Sequence, residues 1–324
     1  MYTLEEISRK VQQAIVGLQL PPEPRLLFEP IRYTLDAGGK RIRPLLTLGS
    51  CALFSDNLEK ALPAALGIEV FHNFTLLHDD IMDNSSLRRG RDTVHVKWNA
   101  NTAILSGDAM LIYAYELASK SAPEKLPQVM PALNRIFMGV CEGQQYDMEF
   151  ENRTDVTPDE YLDMIGLKTA VLMAGAMQIG AILGGGDQTA AVCLYEAGIH
   201  LGKAFQLQDD LLDTYGDTAV WGKNIGDDIA CNKKTFLLIK ALELAEKEDK
   251  ERLIGLISTH SAGREEKIAA VKAVYARTGV KELTENLIEK YFIQASSIID
   301  GIPVDESRKE PLRKMAEALV GREK

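Results

Sequence analysis

A chain of 324 residues with 46% hydrophobic content can bury a large core. A formal charge of -10 speaks against nucleic acid and against an anionic membrane surface as main partners, yet leaves room for an anionic substrate where metal ions reverse the local charge. Cys51, Cys141, Cys193 and Cys231 stand singly, without metal-ligand spacing, and read as buried, reduced thiols of a cytoplasmic protein; the start MYTLEEISRK lacks the basic head and apolar core of a signal peptide.

Apolar residues at helical spacing over 3–18 and 25–36 predict two helices, separated by the Pro21-Pro22-Glu23-Pro24 break. Gly38-Gly39-Lys40-Arg41-Ile42-Arg43-Pro44 comes next. Its glycines free the backbone, its cations lie close together and Pro44 suits a helix start, so the stretch is either a phosphate cradle or a Gly-Gly turn with surface cations. A long helix is predicted over 61–82, amphipathic at first and nearly apolar later. It carries Asp79 and Asp80 at its C-terminal end with Asp83 just beyond, the wrong end of a helix dipole for carboxylates. His72 lies two turns before Asp79 on nearly the same azimuth, and either faces the same cavity or sits satisfied in the core; His78 and His95 take the structural reading.

Helices are expected over 102–119 and 126–150, the second bearing Gly143-Gln144-Gln145-Tyr146-Asp147. Thr157 and Pro158 make a good cap and first residue for another. Lys168, either a boundary residue or a cation pointing into an apolar pocket, precedes the uncharged run 169–186. That run is at the short limit for a membrane span, but it holds Gln178 and five glycines and reads as a buried central helix. An acidic helix is expected over 192–215, then a glycine-punctuated loop over 221–228 carrying Lys223, a helix starting at Asn232-Lys233-Lys234-Thr235, and amphipathic helices with Glu/Lys exteriors to the end. No strand pattern is present and no linker composition divides the chain, so the fold class is all-α, with residues 1–324 as a single domain.

The stretch from His72 to His95 and the stretch from Phe205 to Asp213 share one spacing. Asp79, Asp80 and Asp83 repeat as Asp209, Asp210 and Asp213, D-D-x-x-D both times, each inside an apolar run. At about 100° per residue the carboxylates of each set share one helix face. Three like charges repel unless something positive sits before them, and hard oxygen ligands without Cys or His suit magnesium. The pair Arg88-Arg89 suits phosphate, so the patterns together read as a diphosphate held between acids and bases. A single copy would ordinarily be a solvated helix face; two copies embedded among Leu, Ile and Phe are hard to explain that way.

The ordered motifs GGKRIRP, LLHDDIMD, LRRG, GQQYD, KTA, FQLQDDLLD and GKNIGDDIACNKKT, spread over most of the chain, resemble the trans-isoprenyl diphosphate synthases, or polyprenyl synthetases, of the short-chain type. The resemblance implies one large bundle of antiparallel helices around a deep cavity, usually as a homodimer, with the two acid motifs facing each other across its mouth. It implies Asp79, Asp83 and Asp209 as direct magnesium ligands, three ions being held with substrate, and Asp80, Asp210 and Asp213 as the rest of the metal-and-water shell. Arg88, Lys168, Lys223 and Lys233 match residues that hold an allylic diphosphate (dimethylallyl, geranyl or farnesyl). Lys40, Arg43, His72 and Arg89 match the isopentenyl diphosphate site, and Thr169 and Gln206 match polar groups near the reacting carbon. The implied chemistry is ionisation of the allylic diphosphate, with Lys168, Thr169 and Gln206 stabilising the cation, then condensation and proton loss to the released diphosphate.

By the same resemblance, Thr75 and Phe74, four and five positions before Asp79, form the floor that sets product length. Helix geometry places Thr75 about 40° from Asp79 and Phe74 about 140° away, so the Phe74 role rests on the family alone. A bulky residue followed by a small one, with no insertion in the first acid motif, resembles enzymes making C20 or C15 products, C20 being favoured. Arg91-Asp92 stands where many relatives carry Lys-Pro, and Asn224 where Pro is common; neither change removes a ligand. A terpene cyclase of the same fold would usually replace the second D-D-x-x-D by an Asn/Ser/Glu set. A non-catalytic partner subunit of a synthase typically loses acid-motif residues, whereas all six aspartates are present here.

Overall fold

The computed structural model describes residues 2–216, 225–258 and 263–321. The chain runs through α1 (Leu4–Val16), α2 (Arg25–Leu35), α3 (Ile42–Ala52) and α4 (Leu62–Met82), then a hairpin of β1 (Leu87–Arg88) and β2 (Arg91–Asp92). It continues through α5 (Val94–Lys97), α6 (Ala100–Ser119), α7 (Leu126–Glu151), α8 (Pro158–Ile165), a π-helical turn over Gly166–Ala170, α9 (Val171–Gly184) and α10 (Gln188–Tyr215). The remainder is α11 (Asp227–Ala230), α12 (Phe236–Leu244), α13 (Lys247–Ser258), α14 (Arg264–Thr278), α15 (Val280–Asp300) and α16 (Glu306–Val320). The all-α expectation holds. The hairpin was not anticipated because two-residue strands are too short to show an alternating pattern.

Local chemistry accounts for most helix starts. Thr3 with Glu6, and Thr157 with Glu160, form reciprocal capping boxes at α1 and α8, with Pro158 in the first turn as expected. Four starts differ by two residues or more from expectation: α3 begins at Ile42 with Pro44 inside its first turn, α6 begins at Ala100 and not Thr102, α10 begins at Gln188 and not Val192, and α12 begins at Phe236 with Thr235 as its cap. Caps and first turns carry little hydrophobic periodicity, so pattern alone misplaces them.

Packing divides the chain into two compact units. One comprises Met1–Phe137, Leu172–Glu196 and Ile299–Met315; the other comprises Met138–Val171, Ala197–Ile298 and Ala316–Lys324. In the first, α4 packs along α6 and against α3, with Leu46, Leu48, Ile68, Val70 and Phe71 fully enclosed. In the second, Tyr161, Leu207, Leu237, Leu253, Val274 and Tyr275 form the centre of a core built by α8, α10, α12, α13 and α14. The run Pro158–Gly184 is the one helix among the described residues long and apolar enough to cross a membrane, and its most apolar window is 83% buried inside the protein. The cysteines correct an expectation: all four are free, but only Cys51 is buried, while Cys141 and Cys231 are exposed and Cys193 is intermediate.

Candidate active site

In the first unit, the last turn of α4 sorts its three aspartates by burial. Asp79 is partly exposed and Asp83, the C-cap, exposed, whereas Asp80 is 5% exposed and accepts a 2.6 Å bond from Arg88 Nε. Burial pushes the Asp80 carboxyl above its ordinary range, and Arg88 opposes the push. Arg88 is presented by the β1–β2 hairpin, whose central residues Arg89 and Gly90 both have positive φ (53° and 71°), the pattern of a type I′ turn. Arg89 reaches from that turn to donate to the Gly38 carbonyl. Its guanidinium lies where a side chain at Gly39 would stand, since a Cβ there would fall 2.7 Å from Arg89 Nη2.

The loop between α2 and α3 is bent by positive φ at Gly38 (77°), Gly39 (119°) and Arg41 (50°). Its three cations diverge. Lys40 is exposed and Arg43 partly exposed, while Arg41 is buried, donating from Nη1 to Glu69 Oε1 at 2.7 Å and from Nη2 to the Leu35 carbonyl. Burial lowers Arg43 to about 10, Glu69 opposing and Arg89 adding to the effect. His72 is held well below the ordinary imidazole range by burial and then by Arg43, Arg89, Arg88 and Arg41, so it is neutral near pH 7. His78 and His95 keep structural roles: His78 bonds the Ile104 carbonyl at 3.2 Å, and His95 Nδ1 meets Thr93 Oγ1 at 3.2 Å. Below Asp79 on α4, the Phe74 ring lies 5.4 Å from Phe71 and 4.7 Å from His78, and Thr75 Oγ1 donates to the His72 carbonyl at 2.8 Å.

The second unit repeats the sorting. Asp209 is partly exposed, while Asp210 and Asp213 are 1% and 8% exposed. Asp210 accepts from the Tyr161 hydroxyl and from Gln206 Nε2 (3.1 Å), and Gln206 Oε1 accepts from Thr169 Oγ1 (2.9 Å). Asp213 accepts from the Asp228 backbone N–H at 3.0 Å. Burial raises Asp210 to about 7 against the pull of Lys233, and raises Asp213 to about 6 with the Asp228 charge adding. Lys233, 3.4 Å from Asp228, has its ammonium pushed up: burial opposes, but Asp228, Asp210, Asp147 and Asp209 outweigh it.

Lys168 and Thr169 sit in the π-helical turn, an insertion that locally rotates a helix and recurs at functional sites. Lys168 Nζ donates to Asp147 Oδ2 at 2.5 Å. Gly143 of α7 makes room for the turn, because a Cβ there would lie 2.2 Å from the Lys168 nitrogen.

In the first unit, then, Arg88 and Arg89 lie by Asp80, with Arg43 and His72 close to the arginines; in the second, Gln206 with Thr169, and Lys233, lie by Asp210, and Lys168 is held by Asp147. Lys223 lies outside the described residues. Asp147, Tyr161, Glu69 and the separate role of Arg41 escaped the sequence reading; Glu69, a lone carboxylate in the apolar run AALGIEVF, was the available signal. The donor set suits magnesium: Asp79, Asp83 and Asp209 offer hard oxygens that stay accessible, while Asp80, Asp210 and Asp213 are buried. Among the described residues no group of three or more Asp, Glu, His or Cys side chains is placed to hold a metal ion by itself.

The fold and these side chains define an all-α protein with two aspartate-bearing helix segments, each with lysine or arginine side chains beside it. The chain belongs to the polyprenyl synthetase family, whose model matches residues 24–275. It is 38% identical over 328 residues to a geranylgeranyl diphosphate synthase of Methanosarcina mazei, covering 100% of this chain and 99% of that protein. A crystal structure of a geranylgeranyl pyrophosphate synthase superposes with a TM-score of 0.95 at 42% identity, covering 100% of both chains. A geranylgeranyl pyrophosphate synthase of Corynebacterium glutamicum, solved with isoprenyl diphosphate and magnesium, matches with a TM-score of 0.84 at 28% identity over 98% of this chain and 96% of that one.

Proposed function

We propose that the protein is a magnesium-dependent trans-prenyltransferase that condenses isopentenyl diphosphate with an allylic diphosphate to give a short-chain all-trans prenyl diphosphate, C20 before C15. The observation that carries this reading is the sorting of the aspartates: Asp79, Asp83 and Asp209, the three that the family resemblance makes metal ligands, are the three left accessible. Asp79, Asp83 and Asp209 would hold the magnesium, three ions with substrate bound, and the remaining aspartates orient neighbouring groups. Bound there, the ions would supply Lewis-acid stabilisation of negative charge on the diphosphate oxygens.

The protein's own groups do the rest. Lys168, Lys233, Lys223 and Arg88 carry positive charge to the leaving diphosphate, Arg88 through the donors that Asp80 does not take. Gln206 has its amide nitrogen tied to Asp210 and one lone pair of Oε1 tied to Thr169, which fixes its carbonyl dipole beside the developing allylic cation. Lys40, Arg43 and Arg89 hold the second diphosphate, with neutral His72 acting as a hydrogen-bonding group and not as a charge. The released diphosphate accepts the final proton, so the scheme needs no His or Glu base.

We further propose one cytoplasmic domain over residues 1–324 that works as a homodimer. The test is product mass after incubation with isopentenyl diphosphate, magnesium and each of dimethylallyl, geranyl and farnesyl diphosphate, with sedimentation reporting the oligomeric state. A C20 or C15 end point supports the reading. Hydrocarbon formed from the allylic substrate alone would replace it by a cyclase, and absence of condensation would replace it by a partner subunit.

A further inference from the structure

We propose that Arg41, Glu69 and Asn73 form a latch that positions the diphosphate cradle, so that one of the three cations in the Gly38–Arg43 loop serves the loop and not the ligand. This rests on the reading of that loop as the isopentenyl diphosphate cradle.

Arg41 is only 7% exposed, and both its terminal nitrogens are engaged, one by the Glu69 carboxylate at 2.7 Å and the other by the carbonyl of Leu35, the last residue of α2. The Arg41 backbone is the more telling feature. With φ at 50° Arg41 occupies the left-handed region that non-glycine residues avoid, and it does so as the N-cap of α3 without a side-chain cap bond. A strained residue persists only when its surroundings over-determine it. Here the surroundings are the end of α2 and the middle of α4, both gripping the guanidinium.

Glu69 is set for that grip. It is 2% exposed, and Asn73, one turn on and 0% exposed, donates from Nδ2 to both the Glu69 carbonyl (2.8 Å) and Glu69 Oε1 (3.1 Å). The carboxylate therefore has one orientation. As a stabilising device the set is poor: Arg41 Nε, Glu69 Oε2 and Asn73 Oδ1 are buried without a hydrogen-bond partner, and a half-satisfied buried ion pair is generally no better for stability than apolar residues of the same volume. Its retention is explained by position. Held at Arg41 by the latch and at the Gly38 carbonyl by Arg89, the loop is tied at two points, and these set the backbone at Lys40, between them, and at Arg43, in the first turn of α3.

The test compares Arg41→Lys, Glu69→Gln and the charge-free double variant Arg41→Met/Glu69→Met with Arg43→Gln, which removes a cradle cation outright. For each, KM is measured separately for isopentenyl diphosphate and for the allylic substrate, together with the thermal midpoint. The double variant leaves no unpaired buried charge, so it keeps its fold where a single variant fails. The latch predicts that KM for isopentenyl diphosphate rises about tenfold or more in all the latch variants that fold, with KM for the allylic substrate within about twofold of wild type. Equal rises in both KM values, or no rise in folded latch variants while Arg43→Gln shows one, would overturn the latch and leave the cradle reading standing. An unmoved KM for isopentenyl diphosphate in Arg43→Gln overturns the cradle reading and the latch with it.

Discussion

Replacing Gly143 by Ala adds one methyl group at the closest approach of α7 to the π-helical turn. The new Cβ would lie 2.2 Å from the Lys168 nitrogen, 2.6 Å from its Cα and 2.7 Å from the Leu167 carbonyl carbon, all backbone atoms that no rotamer change can move. Ordinary contact begins at 3.4 Å, so the two segments must part by 3.4 − 2.2, about 1.2 Å. Overpacking of this kind costs about 1–3 kcal/mol, and Ala in a helix interior returns about 1 kcal/mol relative to Gly, leaving a net loss of up to about 2 kcal/mol. That lowers the melting temperature by only a few degrees in a chain of this size. The catalytic effect is larger. A displacement near 1 Å at a positioning group costs roughly a hundredfold in rate, and here the displaced group is Lys168 together with its 2.5 Å bond to Asp147. Steady-state kinetics on Gly143→Ala should therefore give kcat down by about 10²-fold with KM for isopentenyl diphosphate unchanged, because Lys168 does not belong to the cradle. A variant that keeps kcat within about threefold of wild type would refute the argument that this approach sets the lysine.

Two further outcomes are expected. Phe74→Ala removes the ring packed 5.4 Å from Phe71 and 4.7 Å from His78, and mass spectrometry should show products longer by at least one isoprene unit; unchanged chain lengths would remove Phe74 from the floor. The metal-free protein should be less stable at pH 8 than near pH 5.5, as follows from the direction of two shifts. Asp210 and Asp213 have folded-state values raised to about 7 and about 6 from 3.8, so their contribution is complete below the ordinary carboxylate range and is lost as pH rises through 6 to 7. Lys233, raised above its ordinary 10.5, stays charged throughout that window and adds no slope. Thermal midpoints across pH should fall in this range, and Asp210→Asn should flatten the fall; a rise with pH, or an equal fall in the variant, would sink the assignment.

The first-unit cations illustrate how much of the site could be read in advance. The composition of GGKRIRP left a phosphate cradle and a Gly-Gly turn with surface cations both open; in the structure Arg89 joins this stretch by donating to the Gly38 carbonyl. Nothing in the string marked Arg41 as different from Arg43, because the difference lies in Glu69, 28 residues away. The hairpin that presents Arg88 was invisible for another reason: its strands have two residues each, and the turn signal was an Arg-Gly pair and not the more usual Asn-Gly.

The sequence by itself determined the helices and the two D-D-x-x-D faces, since a 3.6-residue repeat and a capping box act within a few neighbouring residues and are written where they operate. It also determined the family, through the order and spacing of the motifs. Only the tertiary structure decided which aspartates are buried and which stay accessible. Asp80 and Asp79 are equivalent as letters, as are Asp210 and Asp209, yet one of each pair is buried while the other stays accessible. The partners that make the distinction come from other segments, Tyr161 lying 49 residues from Asp210 and Asp228 lying 15 from Asp213. Burial and hydrogen bonding are properties of what surrounds a side chain, and packing supplies those surroundings from distant parts of the chain.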